Sequence, residues 1–221
     1  MNCVKAVLLM EEPSGQKTCK LASRGGVNLD AVVVNDSCAL ERAFSVRHEL
    51  LLSFGTGVIV PSWILDMPGL LALNVHAASP QYPGRDPHHF AVYDGARQYG
   101  ATMHQMTKSV DAGPIVGVEL FDVPASVTPS ELLARANDAG WSLIARFFER
   151  FSKHGAPTPM PGLAWGHRKT TRKMFLELCR IDPAMPKEEI KRRLKATAIP
   201  GFRNLYLDLH GHRFRIQDAK E

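Results

Sequence analysis

Asn74 and His76 close an apolar run, and in an extended strand residues two apart share a face. A side-chain amide is a hydrogen-bond donor, and an imidazole with a reference pKa of about 6.5 can carry a proton near neutrality. A carboxylate could complete such a group. Asp111 follows His104 by seven residues and precedes Ala112-Gly113-Pro114, a turn sequence from which a carboxylate can approach an imidazole at a neighbouring strand end. Taken singly, Asn74 reads equally well as a strand-end cap and Asp111 as an ordinary turn residue. His104 reads first as a structural or pocket-lining residue. His88-His89 invite a metal reading with His76, but adjacent histidines are expected to diverge and no HExxH spacing occurs, so no metal is expected.

The elements that would position these groups are short. Val4–Met10 and Ala31–Val34 read as buried strands, and residues 15–25 leave room for only a short crossover helix between them. Leu50–Val60 and Leu70–Val75 are further strand candidates, with helical stretches at Leu40–Val46 and Ser62–Leu65. Alternating strands and helices predict an α/β, Rossmann-like, mainly parallel sheet flanked by helices. In such sheets ligands gather at the carboxyl ends of the strands, where Asn74 and His76 fall. Thr128-Pro129-Ser130-Glu131 is a capping-box start for a long helix with an apolar face from Leu132 to Phe151.

This pattern gives a core over 1–154 and a Pro/Gly-rich linker over 155–166. A small C-terminal appendage follows over 167–221, with a short helix (Lys187–Ala196) and a hairpin around His210-Gly211 that buries one face, Phe214 and Ile216 included.

Composition narrows the classes. The chain has 221 residues, 45% of them hydrophobic, which is enough to bury a real core. No membrane-spanning run and no signal peptide are read, and four scattered cysteines fit a reducing cytoplasm. The net charge of +5 is uneven: from Arg168 onward there are 14 Lys+Arg against 7 Asp+Glu, so residues 1–167 carry a net −2. The basic end reads either as a contact for an anionic substrate or as a solvated helix face. Residues 10–16 (MEEPSGQ) match neither GxGxxG nor GxxxxGK[ST], which removes the main support for a dinucleotide or NTP-hydrolysis function.

NVH with the loop SPQYPG, followed by GATMHQMTKSVDAGPIV, resembles the core of the folate-dependent formyltransferases that use 10-formyltetrahydrofolate. The likeness is strong over roughly residues 1–120, nearest to the sugar N-formyltransferases and the methionyl-tRNA formyltransferase core. It implies a formyltransferase fold with an abbreviated N-terminal half, because residues 37–51 leave little room for a further strand and helix. It implies Asn74, His76 and Asp111 as catalytic residues, with no metal. It also implies 10-formyltetrahydrofolate as co-substrate, held by Gly57, Val58, Ile59 and Val60 together with His104, Gln105, Thr107, Lys108 and Ser109. Ser79, Tyr82, Pro83 and Gly84 would form a substrate loop.

The chemistry suits those residues. An amine attacking a formyl carbon generates an oxyanion for Asn74 and releases a proton for His76, while Asp111 orients the imidazole and favours its charged form. The implied acceptor is a small primary amine, first a nucleotide-linked amino sugar and second an N-hydroxyornithine-type amine. A methionyl-tRNA-type enzyme without its C-terminal domain, and a folate- or nucleic-acid-binding module with a decayed site, remain as alternatives. tRNA and membrane partners are not expected, and a homodimer is left open.

Overall fold

The computed structural model describes residues 3–197, 199, 201–202 and 204–215. A six-stranded sheet runs in the order β2 (Leu29–Val34), β1 (Val4–Leu9), β3 (Leu50–Phe54), β4 (Leu71–His76), β5 (Gln98–Gln105), β6 (Ile115–Asp122). The first four are parallel; β5 is antiparallel to both β4 and β6. The sheet is therefore mainly parallel with an antiparallel margin, and the catalytic candidates lie where one arrangement gives way to the other. All five residues of central β3 are buried, four of them apolar and the fifth Ser53, whereas edge strand β2 alternates.

Helix α1 (Glu12–Arg24) is longer than the short crossover expected. With no glycine-rich loop after β1, Glu12-Pro13 opens the helix at once, because proline is tolerated in the first turn. Residues 35–49 hold α2 (Ser37–Ala43), capped by Asp36, and no strand, so the N-terminal half is brief. The strand expected over 50–60 stops at Phe54. Gly55, at φ 68°, turns the chain out of the sheet, and residues 55–61 form a loop before the single turn α3 (Ser62–Leu65). Val58–Val60 are thus loop and not strand core, with Ile59 63% exposed.

Helix α5 (Pro129–His154), which follows α4 (Pro87–Asp94), begins with the predicted capping box between Thr128 and Glu131. Leu143, Ile144, Phe147 and Phe148 pack on one sheet face against Leu52, Leu73, Val75 and Met103. Gly140 lets the helix close onto the sheet, since a Cβ there would lie 2.7 Å from the Phe54 ring. Val7, Leu9 and Leu51 point to the opposite face, toward α2 and α3.

Residues 155–166 are not a free connector. Met160 N–H bonds to Ile115 O at 2.8 Å, Trp165 Nε1–H to Gly113 O at 2.8 Å and Gly166 N–H to Pro80 O at 2.8 Å. Beyond them lie α6 (Arg172–Leu178), capped by Thr171, then β7 (Arg180–Ile181), α7 (Lys187–Thr197), β8 (Tyr206–Leu209) and β9 (His212–Arg215), the last two forming the expected hairpin. Helix α6 and the pairing of β7 with β8 were not anticipated. The hairpin buries its expected face only at the base: Leu205 is buried and Leu207 half-buried, but Leu209 and Phe214 are 46% and 54% exposed, and Ile216 lies outside the described residues. Among the described residues no helix is long and apolar enough to cross a membrane.

Candidate functional site

The last residues of β4 point Asn74 and His76 to the face opposite α5, because Leu73 and Val75 occupy the α5 face. The antiparallel register pairs Asn74 with His104 and His76 with Thr102. Directly opposed residues share a face, so His104 arrives beside Asn74, and Asn74 Nδ2 lies 3.1 Å from His104 Nε2. The loop after β5 is closed at its base by Gln105 N–H to Pro114 O at 2.9 Å. Gly113 fits inside it only without a side chain, since a Cβ would lie 1.9 Å from Gln105 O.

Asp111 adopts φ 45°, a left-handed conformation that Asp and Asn tolerate better than most residues. That turn sends its carboxylate back between the two histidines: Oδ1 is 3.4 Å from His104 Nε2, and Oδ2 is 3.7 Å from His76 Nδ1. Oδ2 also accepts the Gly84 N–H at 2.9 Å. The carboxylate is 5% exposed, His104 3% and His76 12%.

The remaining ring nitrogens fix the tautomers. His76 Nε2 lies 2.9 Å from Tyr82 O and His104 Nδ1 lies 2.9 Å from Gln105 O. A carbonyl only accepts, so those nitrogens carry hydrogen. In the neutral rings, His76 Nδ1 and His104 Nε2 are then lone pairs facing an anion. One added proton would turn that opposition into attraction. Burial holds the His76 pKa below its usual value, against the opposing pull of Asp111 and Tyr82 O. Burial would by itself raise the Asp111 pKa; a hydrogen bond from His104 when its ring is protonated, the charge on a protonated His76 and the Gly84 N–H outweigh it and keep the carboxyl below its ordinary range.

These groups stand midway along a cleft of about 500 Å³. One arm is walled by Gly57, Val58, Ile59, Val60, Leu65 and Met106, with Thr107, Lys108 and Ser109 at its lip; the other carries Gly84, Arg85, Lys169 and Thr170. Of the expected co-substrate positions only Gln105 is missing from the lining, because it alternates away from His104 while Met106 returns to the cleft.

The expected substrate loop is only partly at the cleft. Gly84 lines it, but Ser79 and Tyr82 are buried at 1% and 9% exposure and Pro83 is also buried. Tyr82 packs on Tyr99 in a second core, with burial pushing its hydroxyl up to about 12, and it serves the site through its carbonyl. Arg85, Lys169, Thr170 and Trp165 were not foreseen. A lone tryptophan ending a Pro/Gly stretch just before a basic run was the available signal.

The adjacent histidines do not diverge as expected. His89 is drawn inward by Ala196 O and Phe175, and the His88 ring tilts over it at 4.4 Å. Among the described residues no group of three or more His, Cys, Asp or Glu is arranged to hold a metal ion.

Comparison with known proteins agrees with this architecture. The methionyl-tRNA formyltransferase of Paracidovorax citrulli is 30% identical over 181 residues, 80% of this chain and 54% of that protein. The chain thus spans about half the length of the curated relatives it matches. A sugar N-formyltransferase from Shewanella shares the fold with a TM-score of 0.77 at 16% identity, over 99% of this chain and 98% of that one. HypX of Aquifex aeolicus, solved with tetrahydrofolic acid, matches at TM-score 0.64 and 19% identity over 96% of this chain and 37% of HypX. The family model described as formyl transferase matches residues 19–147, more than half of the chain, and this makes the chain a member of the formyl transferase family.

Proposed function

We propose that the chain transfers a formyl group from 10-formyltetrahydrofolate to the primary amine of a nucleotide-linked amino sugar. Asn74, His76 and Asp111 are its catalytic groups. The observation that carries this reading is the meeting of an amide donor and a two-histidine, one-carboxylate proton site at the middle of the cleft. Residues 1–154 are taken as the catalytic core, 155–166 as a linker and 167–221 as a small C-terminal appendage.

The bound folate supplies an activated formyl carbon. The arm lined by residues 57–60, Leu65 and Met106 suits a flat heterocycle, because it offers apolar side chains beside loop backbone that lies outside the sheet. Asn74 Nδ2 carries two hydrogens. One reaches His104, and the other is free to donate to a carbonyl oxygen as it gains charge, a contribution of about 3–4 kcal/mol in acyl transfer. His76 keeps its Nε2–H on Tyr82 O, so the proton from the attacking amine arrives at Nδ1, where Asp111 stabilises the cation.

The cationic arm suits a diphosphate. Lys169 donates to the neutral Val110 carbonyl, which leaves its charge unbalanced among the described residues, while Arg85 is largely exposed and pairs with Asp86 at 3.5 Å. The test is release of tetrahydrofolate from 10-formyltetrahydrofolate in the presence of nucleotide-linked amino sugars, N-hydroxyornithine or methionyl-tRNA. Turnover with the first and its loss in His76→Ala support the reading; unchanged turnover in His76→Ala removes the mechanism. Methionyl-tRNA is the second reading, favoured by the identity with the P. citrulli enzyme. Folate binding without turnover on any amine would indicate a binding module.

A further inference from the structure

Trp165 lies outside the lining of the cleft and behind both histidines. Its ring stands edge-to-face with His104 at 5.0 Å and 88°, and with His76 at 6.0 Å and 61°. Its Nε1–H is spent on Gly113 O, two residues beyond Asp111, so the indole cannot rotate without losing that bond. The next residue, Gly166, ties the other side: its N–H reaches Pro80 O, and a Cβ would sit 2.3 Å from Gln81 O. Further along, Thr170 N–H bonds to Pro83 O and its hydroxyl to Arg85 O, flanking the Gly84 N–H that Asp111 accepts. Residues 165–170 therefore bind both loops whose separation sets the Asp111–His76 distance.

We infer that Trp165 is a positioning residue, the head of a strap that clamps the Asp111 loop to the loop after His76 and backs both imidazoles with a dry aromatic wall. The role rests on the proton-transfer reading of the site. An edge-to-face indole has no proton to give in this arrangement, so it acts through the rings it braces. The charged groups that face the pair are Asp111 and, across the cleft, Arg85, Lys108 and Lys169.

The experiment compares Trp165→Ala and Trp165→Phe by the pH profile of kcat and by NMR titration of the His76 imidazole in the free protein. Removing the wall admits water, so Trp165→Ala moves the His76 titration up toward the ordinary histidine value, with the acid limb of the profile following it. The lost placement lowers kcat on the order of 10²-fold. Trp165→Phe conserves the wall and loses only the Gly113 bond, so its titration stays at the wild-type position while kcat falls several-fold. If Trp165→Ala does not fold, the Phe variant decides: the wild-type titration with reduced kcat supports the role, and wild-type kcat overturns it. Identical titrations and profiles in wild type and Trp165→Ala also overturn it. A wild-type protein that transfers no formyl group, but whose His76 titration moves in Trp165→Ala, sinks the transferase reading and leaves the positioning role intact.

Discussion

Replacing Asp111 separates its two tasks, holding the loop and holding the charge. Asn keeps the first: it tolerates φ 45°, its carbonyl can accept the Gly84 N–H, and its amide can donate to a histidine lone pair. Ala keeps neither. The left-handed backbone then costs about 1–2 kcal/mol without a polar side chain to support it. A part-buried Gly84 N–H without its acceptor costs about 1–3 kcal/mol more. Asp111→Ala is therefore expected to unfold about 2–5 kcal/mol more easily than Asp111→Asn at neutral pH, measured by urea denaturation. Both variants are expected to lose about 10²–10⁴-fold in turnover, since neither can stabilise a protonated His76. The wild-type advantage over Asn depends on pH with a definite sign. The native carboxyl titrates below its unfolded value of 3.8, so its contribution is full above 3.8 and fades as pH falls through the lowered native value. Equal stability of the Ala and Asn variants, or near-wild-type turnover of Asp111→Asn, would refute this reasoning.

Gly84 stands at φ +100°, and a Cβ there would lie 2.2 Å from Thr170 O, a backbone atom that cannot swing aside. Gly84→Ala is expected to cost about 2 kcal/mol or more in denaturation and to lower turnover by displacing the donor to Asp111. A midpoint within error of wild type would show that the strap and loop are not locked together. His88 carries a buried Nδ1 that has no hydrogen-bond partner among the described residues, and burial, followed by the His89 charge, lowers its pKa to about 3. The unfolded residue binds its proton first, so stability is lost as pH falls from 6.5 toward 3. His88→Gln is expected to flatten the dependence of the melting temperature on pH across that window; parallel curves would contradict it.

What the sequence disclosed was local or periodic. Thr128 and Glu131 announce the start of α5, because a capping box satisfies its own donors within four residues. Asn74 and His76 share a face because strand geometry has period two. The misreadings arise where a remote contact decides. Val58–Val60 look like strand on β-branched composition, yet Gly55 ends pairing before them. Leu209 and Phe214 alternate like a buried face, but the second sheet has no layer over them among the described residues. Tyr82 and Ser79 sit in a loop that looks substrate-facing, but the second core around Tyr99 draws Tyr82 away from the cleft and Ser79 is buried.

His104 shows most clearly why the site was half legible. Its spacing to Asp111 was visible, but its role turns on which residue of β4 it opposes, and register is set by the whole antiparallel pairing of β4 with β5. A shift of one residue would put Gln105 opposite Asn74, with an amide meeting an amide and no second imidazole to hold Asp111. The observed register is pinned from both ends, by Met106 N–H to Ala72 O and by the bond from Thr102 Oγ1 to Ala78 O. The proposed proton site therefore also leans on two ordinary structural hydrogen bonds, one of them made by Thr102, a residue outside the proposed catalytic group. The proposed catalytic residues, set two apart on one strand, were readable; the partner that meets them was readable only once the sheet had been assembled.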